Sequence, residues 1–431
     1  MCFVSEIDGY TPSEVAGIQA ELLCAALEYA CRNSPFYRER LGSTPPKING
    51  IEDIRKIPLT TKADIQDNNA AFLSVPRKDV AEMVATTGTT GTHVYIYLTA
   101  GDLIRLAENE RRCFANAGVT AEDLFLLAVT LDNLFIAGLA YYSGLQRLGA
   151  GVVRLGPHSP KKHLETIAAL RPTGIVAVPS FMAAIYRQAG KDGVDLGSLG
   201  LRKAVLIGET IRNADFSSNA LGNIVESMNS LETYSTYGIT EIAAAFCECP
   251  ARRGLHSHSD LVYAEVIGDD GEPAADGEPG ELVVTTFGVA GMPLLRYRTG
   301  DVTFKVPGQC ACGRSSARIG PVIGRKAHKL KVKGTTIYPR AIENALVEIA
   351  GVENYVIEAH TGDDHADTVV VKVGAHNQKA AFKLEVSEAI RAKARVTPAV
   401  EIMPPQEVEK LLYEGGRRKP MIFIDRRLKP Q

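Results

Sequence analysis

Three features that would assign the chain to a special class of protein are missing from its sequence. No stretch of apolar residues approaches the roughly 18 that a membrane-spanning helix needs. The first residues hold no basic segment leading into an apolar stretch, as a secretion signal would. The net charge is −2, with acidic and basic residues interspersed, which offers no surface for nucleic acid or a membrane. The sequence therefore predicts a cytoplasmic protein that binds neither.

Length and composition favour an ordinary globular protein with two domains. The chain has 431 residues, of which 45% are hydrophobic and 23% charged. A single core seldom grows beyond about 250–300 residues. The composition changes near Gly324, where a basic segment begins, so we expect residues 1–324 and 325–431 to form separate domains. There is no internal repeat or low-complexity segment.

The apolar pattern predicts an α/β fold. Apolar runs at 124–129, 151–155, 175–178 and 204–207 alternate with helical stretches, which indicates a parallel sheet covered on both faces. Residues 12–40 have helical spacing and predict one long amphipathic helix with a turn at Pro35. Strands and turns are expected over 261–306, and a strand, a helix, two strands and a helix after 324.

Chemistry-bearing residues are concentrated in five short segments. The first is a loop of hydroxyl and glycine residues, whose N–H and O–H groups can surround phosphate oxygens. It is not a Walker A loop, because no Lys-Ser or Lys-Thr pair follows its glycines. In chain order, the segments are Thr86, Thr87, Gly88, Thr89, Thr90, Gly91 and Thr92; Tyr237, Gly238, Ile239, Thr240 and Glu241; residues 296–301; Gly324 and Arg325; and Lys419.

In this order and at these separations, the segments resemble the adenylate-forming superfamily of acyl-CoA synthetases, adenylation domains and luciferases. Within it they are most similar to the phenylacetate-CoA ligase group of aryl-CoA ligases. The likeness implies a large N-terminal α/β domain with a β-rich subdomain and a small mobile C-terminal α+β domain. It also implies that ATP and Mg²⁺ adenylate a small aromatic acid, of phenylacetate, benzoate or anthranilate type. Pyrophosphate then leaves, and CoA accepts the acyl group with release of AMP.

Two other functions stay open from the sequence. The acyl group could pass to a carrier protein or an amine in natural-product biosynthesis, since Thr92 and Ala327 stand where the family usually has other residues. A nucleotide- and zinc-binding homologue without catalysis is the second alternative, although the joint retention of Glu241, Asp301 and Lys419 argues against it. Related ligases are often dimers, which leaves a homodimer open.

The resemblance assigns the nucleotide contacts. The loop 86–91 would hold the β- and γ-phosphates of ATP. Tyr237 would offer its ring to adenine, beside Gly238. Asp301 would accept hydrogen bonds from the ribose hydroxyls, and Arg325 would contact ribose and phosphate.

The resemblance also assigns the catalytic residues. Lys419 would bridge the substrate carboxylate and the α-phosphate, as a flexible ammonium can, although Arg417 and Arg418 are competing cations. Thr240 would contact phosphate. Glu241 would bind Mg²⁺, a hard cation that prefers oxygen ligands.

By the same alignment, the acyl pocket lies around Tyr142, Gly208 and Ser235, with Glu209 and Thr236 beside the adenylate. Hydroxyl groups and an aromatic wall suit a small aromatic acid better than a long acyl chain. The alternative is that Tyr142 and its neighbour Tyr141 only pack in the core.

A structural zinc site is the last prediction. Eight cysteines are present, and four fall into two close pairs, which in a reducing compartment indicates metal more than disulfides. Three thiolates and one imidazole form a closed tetrahedral zinc site, and unmetallated thiols are the alternative. The predicted ligands are Cys249, His256, Cys310 and Cys312, with Cys247 and His258 as alternatives to Cys249 and His256.

Overall fold

The computed structural model describes residues 7–42, 45–86, 94–227, 231–332, 335–362, 367–414 and 420–427. These residues form two compact units. The first contains the described residues up to Ser217, from Gly222 to Thr299 and from Thr303 to Val322. The second contains those of 218–221 and 300–302 and those from Ile323 onward. The predicted mixed α/β fold is confirmed.

The elements before residue 320 are as follows. The helices are α1 (Pro12–Asn33), α2 (Pro35–Leu41), α3 (Lys62–Asn68), α4 (Ala100–Asn116), α5 (Ile136–Leu148), α6 (Pro160–Leu170), α7 (Pro179–Lys191) and α8 (Ala220–Glu226). The strands are β1 (Val80–Ala85), β2 (Tyr95–Thr99), β3 (Leu124–Leu127), β4 (Gly151–Arg154), β5 (Gly174–Ala177), β6 (Lys203–Leu206), β7 (Glu232–Ile239), β8 (Ala244–Cys247), β9 (Leu255–His256), β10 (Val262–Ile267), β11 (Gly280–Thr286), β12 (Tyr297–Thr303), β13 (Lys305–Val306) and β14 (Arg318–Ile319). Short 3-10 turns cover Ile7–Gly9, Ile51–Lys56, Asn69–Phe72, Arg77–Asp79, Gly197–Leu199 and Thr240–Ile242.

The long N-terminal helix is interrupted where the sequence predicted only a turn. Ser34 is extended, with φ −88° and ψ 119°, and it caps a second helix that starts at Pro35. A residue before proline is pushed out of the helical region, while proline itself suits the first helical position. Pro35 therefore ends α1 and begins α2.

A nine-stranded sheet organises the first unit, in the order β13-β14-β9-β8-β7-β6-β5-β3-β4. Strands β4, β3, β5, β6 and β7 are parallel to one another, which confirms the sheet predicted from the apolar runs. From β7 to β13 each neighbouring pair is antiparallel. Strand direction therefore changes at β7. The first unit also holds the antiparallel pairs β1 with β2 and β10 with β11.

The second unit has its own sheet and core. Its four-stranded sheet has the order β20-β19-β18-β21. The core contains Ile357 and Val371 from the sheet and Ile342 and Val386 from two helices. The elements are β15 (Gly324–Arg325), β16 (Leu330–Val332), β17 (Thr335–Ile337), α9 (Pro339–Leu346), β18 (Asn354–Thr361), β19 (Asp367–Gly374), α10 (Ala380–Ala394), β20 (Ala399–Met403), α11 (Pro405–Leu412) and β21 (Phe423–Asp425), with a 3-10 turn at Lys326–His328.

Across the part of the chain that is described, no helix is both long enough and apolar enough to cross a membrane.

Buried polar side chains of helix α4 form hydrogen bonds with distant segments of the first unit. Arg105 is 1% exposed and donates to the backbone carbonyls of Phe287, Ala243 and Leu261 at 2.8, 2.9 and 2.6 Å. Burial lowers the pKa of Arg105 to about 10, so the guanidinium is still charged at neutral pH. One side chain thus joins three segments that are far from it in sequence.

We expect Arg105→Met to destabilise the first unit by roughly 3 kcal/mol or more, because each hydrogen bond from a charged donor contributes about 1.5–3 kcal/mol. Methionine keeps much of the bulk but none of the donors. Urea unfolding followed by circular dichroism measures the effect. Arg187→Met, at an exposed position of α7, is the matched control and should change stability little. Equal midpoints for the two variants would contradict this role.

Candidate functional site

The end of β7 carries the second predicted segment to the edge of the parallel strands. Tyr237 lies in β7, and Thr240 opens the 3-10 turn that follows. Ala243 then has a left-handed backbone, with φ 44°, which reverses the chain into β8. Ligands of open α/β sheets bind outside the carboxyl ends of the strands. Thr240 and Glu241 lie at such an end.

The predicted magnesium ligand is held in a defined position. Glu241 is 8% exposed. It accepts a hydrogen bond from the Tyr297 hydroxyl at 3.1 Å and lies 3.4 Å from the Lys62 ammonium. The sequence did not single out Lys62, because it precedes Glu241 by far and belongs to no glycine-rich or acidic motif. A buried carboxylate is an oxygen ligand of the kind that Mg²⁺ prefers.

The tyrosine pair divides between two environments. Tyr141 is buried, and its hydroxyl lies 3.1 Å from the Thr236 hydroxyl. Tyr142 is half-buried, with the Arg154 guanidinium carbon 5.4 Å from its ring centroid. Burial, followed by the charge of Glu110, raises the pKa of Tyr141 well above its usual range, so Tyr141 stays protonated. Tyr141, the neighbour of the predicted pocket residue Tyr142, therefore contacts Thr236, which directly precedes the predicted adenine-binding residue Tyr237.

Gly208 and Glu209 follow the end of β6, and Ser235 lies within β7. Gly208 has φ 77°, a conformation that strongly favours glycine. The Glu209 carboxylate accepts from the Ser180 N–H and hydroxyl, both at 2.9 Å, at the start of α7. The Ser235 hydroxyl is buried and has no hydrogen-bond partner among the described residues. A buried hydroxyl without a partner is unusual, and a bound ligand would satisfy it.

Asp301 and Arg325 come together in the second unit. They are opposite each other in the pairing of β12 with β15, and the Arg325 Nε lies 3.4 Å from the Asp301 carboxylate. Asp301 is buried and Arg325 is half exposed. A carboxylate fixed by an arginine is ready to accept hydrogen bonds from a polyol.

Part of the predicted site lies outside the described residues: Thr87, Gly88, Thr89, Thr90 and Gly91, and also Lys419. Thr86 is described and buried. Its N–H donates to the Val94 carbonyl at 3.0 Å, so the residues on either side of the 87–93 segment are neighbours.

The four predicted zinc ligands form one group. The ligand atoms of Cys249, His256, Cys310 and Cys312 all lie within 4.8 Å of one another. Sγ atoms of Cys249 and Cys310 are 3.6 Å apart, and Cys312 Sγ is 3.5 Å from His256 Nε2. A tetrahedral zinc would need roughly 3.8 Å between sulfurs and roughly 3.5 Å from sulfur to nitrogen, given its usual bond lengths. The donor set therefore fits zinc.

The surroundings of this group also suit a metal. His256 Nδ1 lies 2.9 Å from the Ser316 hydroxyl, which leaves Nε2 as the nitrogen that could coordinate a metal. Burial lowers the pKa of His256 to about 4, so the imidazole is neutral. Burial alone would raise the pKa of Cys312, but hydrogen bonds with Arg314, Cys310 and Cys249 outweigh it and the pKa is lowered. Cys247 and His258, the alternative ligands, belong to a different group that includes Cys113.

Comparison with known families identifies the class. Residues 37–292 match the family described as AMP-binding enzyme, and residues 334–427 match the AMP-binding enzyme C-terminal domain. The first match spans more than half of the chain, so the protein belongs to the AMP-binding enzyme family.

Its relatives narrow the class to AMP-forming acid–CoA ligases. A phenylacetate-coenzyme A ligase of Thermus thermophilus is 30% identical over 98% of this chain and 100% of its own length. One from Aromatoleum evansii is 28% identical over 98% and 97%. The fold is similar to that of 2-hydroxyisobutyryl-CoA ligase in the postadenylation state, with a TM-score of 0.82, 21% identity and coverage of 97% and 91%. The resemblance inferred from the motifs is confirmed, and the protein is an AMP-forming acid–CoA ligase.

We expect Lys62→Met to lower kcat/KM for adenylation by about tenfold or more, since a charge-assisted hydrogen bond contributes about 1.5–3 kcal/mol. An ammonium beside the predicted Mg²⁺ ligand would lie within reach of phosphates bound to that ion, and the loop has Thr92 in place of a lysine. Pyrophosphate release at varied MgATP is the measurement. Lys78→Met, at an exposed position, is the control. Unchanged kinetics in Lys62→Met would leave the lysine a structural partner only.

Proposed function

We propose that the protein activates a compact aromatic carboxylic acid, of phenylacetate, benzoate or anthranilate type, and transfers it to CoA. The observation that carries the proposal is the near full-length similarity to phenylacetate-coenzyme A ligases. The pocket residues support it, because Tyr142 and the Ser235 hydroxyl, which has no hydrogen-bond partner in the described part of the chain, suit a small ring with a polar group. Gly208 presents no side chain and would allow a flat ring to approach.

The proposed first half-reaction is the adenylation of the acid. A carboxylate oxygen of the acid attacks the α-phosphorus of ATP, and the bond to pyrophosphate breaks. The protein's work is positioning and neutralising charge. Glu241 would hold Mg²⁺, which neutralises the phosphates, and the loop 86–91 would hold the β- and γ-phosphates. Thr240 would donate to phosphate, and Tyr237 would stack on adenine.

The second half-reaction joins the CoA thiol to the acyl carbon and releases AMP. Asp301 would hold the ribose and Arg325 the ribose and phosphate in both half-reactions. Lys419 would serve only the first, because residues 325–431 are proposed to be the mobile domain that turns between the two. The second unit has a hydrophobic core of its own, which is consistent with movement as one body.

We infer that Cys249, His256, Cys310 and Cys312 bind a structural zinc ion. All four ligand places are filled by the protein, so the ion would have no open position for substrate. When bound, it would join the end of β8 and β9 to the loop before β14 and would stabilise the fold rather than take part in the reaction.

A substrate screen tests the proposed function. Pyrophosphate release and acyl-CoA formation would be measured with phenylacetates, benzoates, hydroxybenzoates and anthranilates, with fatty acids as controls. We expect an aromatic acid to give the highest kcat/KM and CoA to accelerate AMP release. A fatty acid as best substrate would contradict the pocket. Rapid adenylation without acceleration of AMP release by CoA would favour a carrier protein or an amine as acceptor. ATP binding with no pyrophosphate release would favour the non-catalytic alternative.

We expect Lys419→Ala to slow adenylation by roughly 10²-fold, the effect of removing one well-placed donor, and to leave thioester formation from synthetic acyl-adenylate near the wild-type rate. Single-turnover assays of each half-reaction separate the two. Lys410→Ala, exposed on α11, is the control, while Asp301→Ala should depress both steps. Equal loss in both steps for Lys419→Ala would make Arg417 and Arg418 the better candidates.

A further inference from the structure

A second group of metal-ligand side chains lies outside the predicted zinc site. The ligand atoms of Cys113, Cys247 and His258 all lie within 4.8 Å of one another, and all three residues are buried. Cys113 Sγ is 3.5 Å from His258 Nε2. This is again the sulfur-to-nitrogen separation, roughly 3.5 Å, of a tetrahedral zinc site.

The two groups use the same two segments of chain. Cys247 ends β8 and stands opposite His256 of β9 in the strand pairing. Two residues further along each segment come Cys249 and His258. Each segment therefore gives one ligand to each group: Cys249 and His256 to the first, Cys247 and His258 to the second. The remaining ligand of the second group comes from α4.

One neighbour of the second group suits a metal-bound thiolate. The side-chain amide of Asn116 donates to Cys247 Sγ at 3.3 Å, and hydrogen bonds to a charged sulfur favour the charged form. The Asn109 amide oxygen is 4.0 Å from Cys113 Sγ but already accepts a hydrogen bond from the Ala245 N–H, which leaves the fourth place open. Two thiolates and a neutral imidazole around a divalent cation carry no net charge, which lowers the cost of burying the site.

We propose that Cys113, Cys247 and His258 bind a second zinc ion. Two cysteines and one histidine with a fourth place open is an established zinc ligand set. The ion would tie α4 to β8 directly beside Thr236, which stands opposite Cys247 in the pairing of β7 with β8. The test depends on metal content, so it does not rest on the substrate or acceptor of the enzyme.

Metal analysis of protein purified from zinc-supplemented cells without chelator tests the proposal. We expect wild type to hold two zinc ions per chain, and Cys113→Ser and Cys312→Ser to lose half of the metal each, because they belong to different groups. Cys24→Ser is the matched control, since Cys24 belongs to neither group, and should keep the full amount. One zinc in wild type that survives Cys113→Ser would overturn the second site.

Wild-type protein provides an independent measurement in case Cys113→Ser does not fold. X-ray absorption at the zinc edge gives the mean number of sulfur ligands per ion. With both groups filled, this number lies between two and three, whereas the first group alone gives three. A value of three with one zinc per chain contradicts the proposal, and so does a disulfide between Cys113 and Cys247 found by mass analysis of the unreduced chain.

Discussion

The structure of the first unit depends on a buried polar face of α4. Asp102 accepts hydrogen bonds from the N–H groups of Ala290 and Gly291, and Arg105 donates to three carbonyls. Asn109 both accepts from the Ala245 N–H and donates to its carbonyl. Backbone groups that leave water need partners, and here one helix supplies them for a β-hairpin and a distant loop. These hydrogen bonds fix the position of β8 relative to α4.

The same face connects the core to the candidate active site. Strand β8 pairs with β7, and the turn between them carries Thr240 and Glu241. Strand β7 is also the point at which the sheet changes from parallel to antiparallel. The side chain of Arg105, by holding the Ala243 carbonyl, therefore supports the turn on which the proposed metal ligand stands.

Sequence reasoning succeeded where local pattern decides structure and failed where partners are remote. The apolar runs at 124–129 and 204–207 identified parallel strands because both faces of such strands are buried. From the sequence alone, Asp102, Arg105 and Asn109 would be assigned to a solvent-exposed helix face. Their partners are backbone atoms up to 189 residues away. Backbone partners leave no trace in side-chain patterns. Lys62 was missed for a similar reason, since its contact with Glu241 depends on folding alone.

The cysteine and histidine residues show most directly what spacing in the sequence cannot determine, namely which of them share one metal-ligand group. Cys247 and Cys249, like His256 and His258, lie two positions apart, so by sequence alone either member of each pair could bind a metal equally well. The fold divides them, because Cys310 and Cys312 approach one pair of ligands and Cys113 of α4 approaches the other. The residues that the sequence offered as alternative ligands for one ion therefore belong to two separate groups on the hairpin of β8 and β9. The positions of Cys310 and Cys312 and of Cys113 on α4 therefore determine which group each ligand joins. Helix α4 is also the helix whose polar face fixes the position of β8.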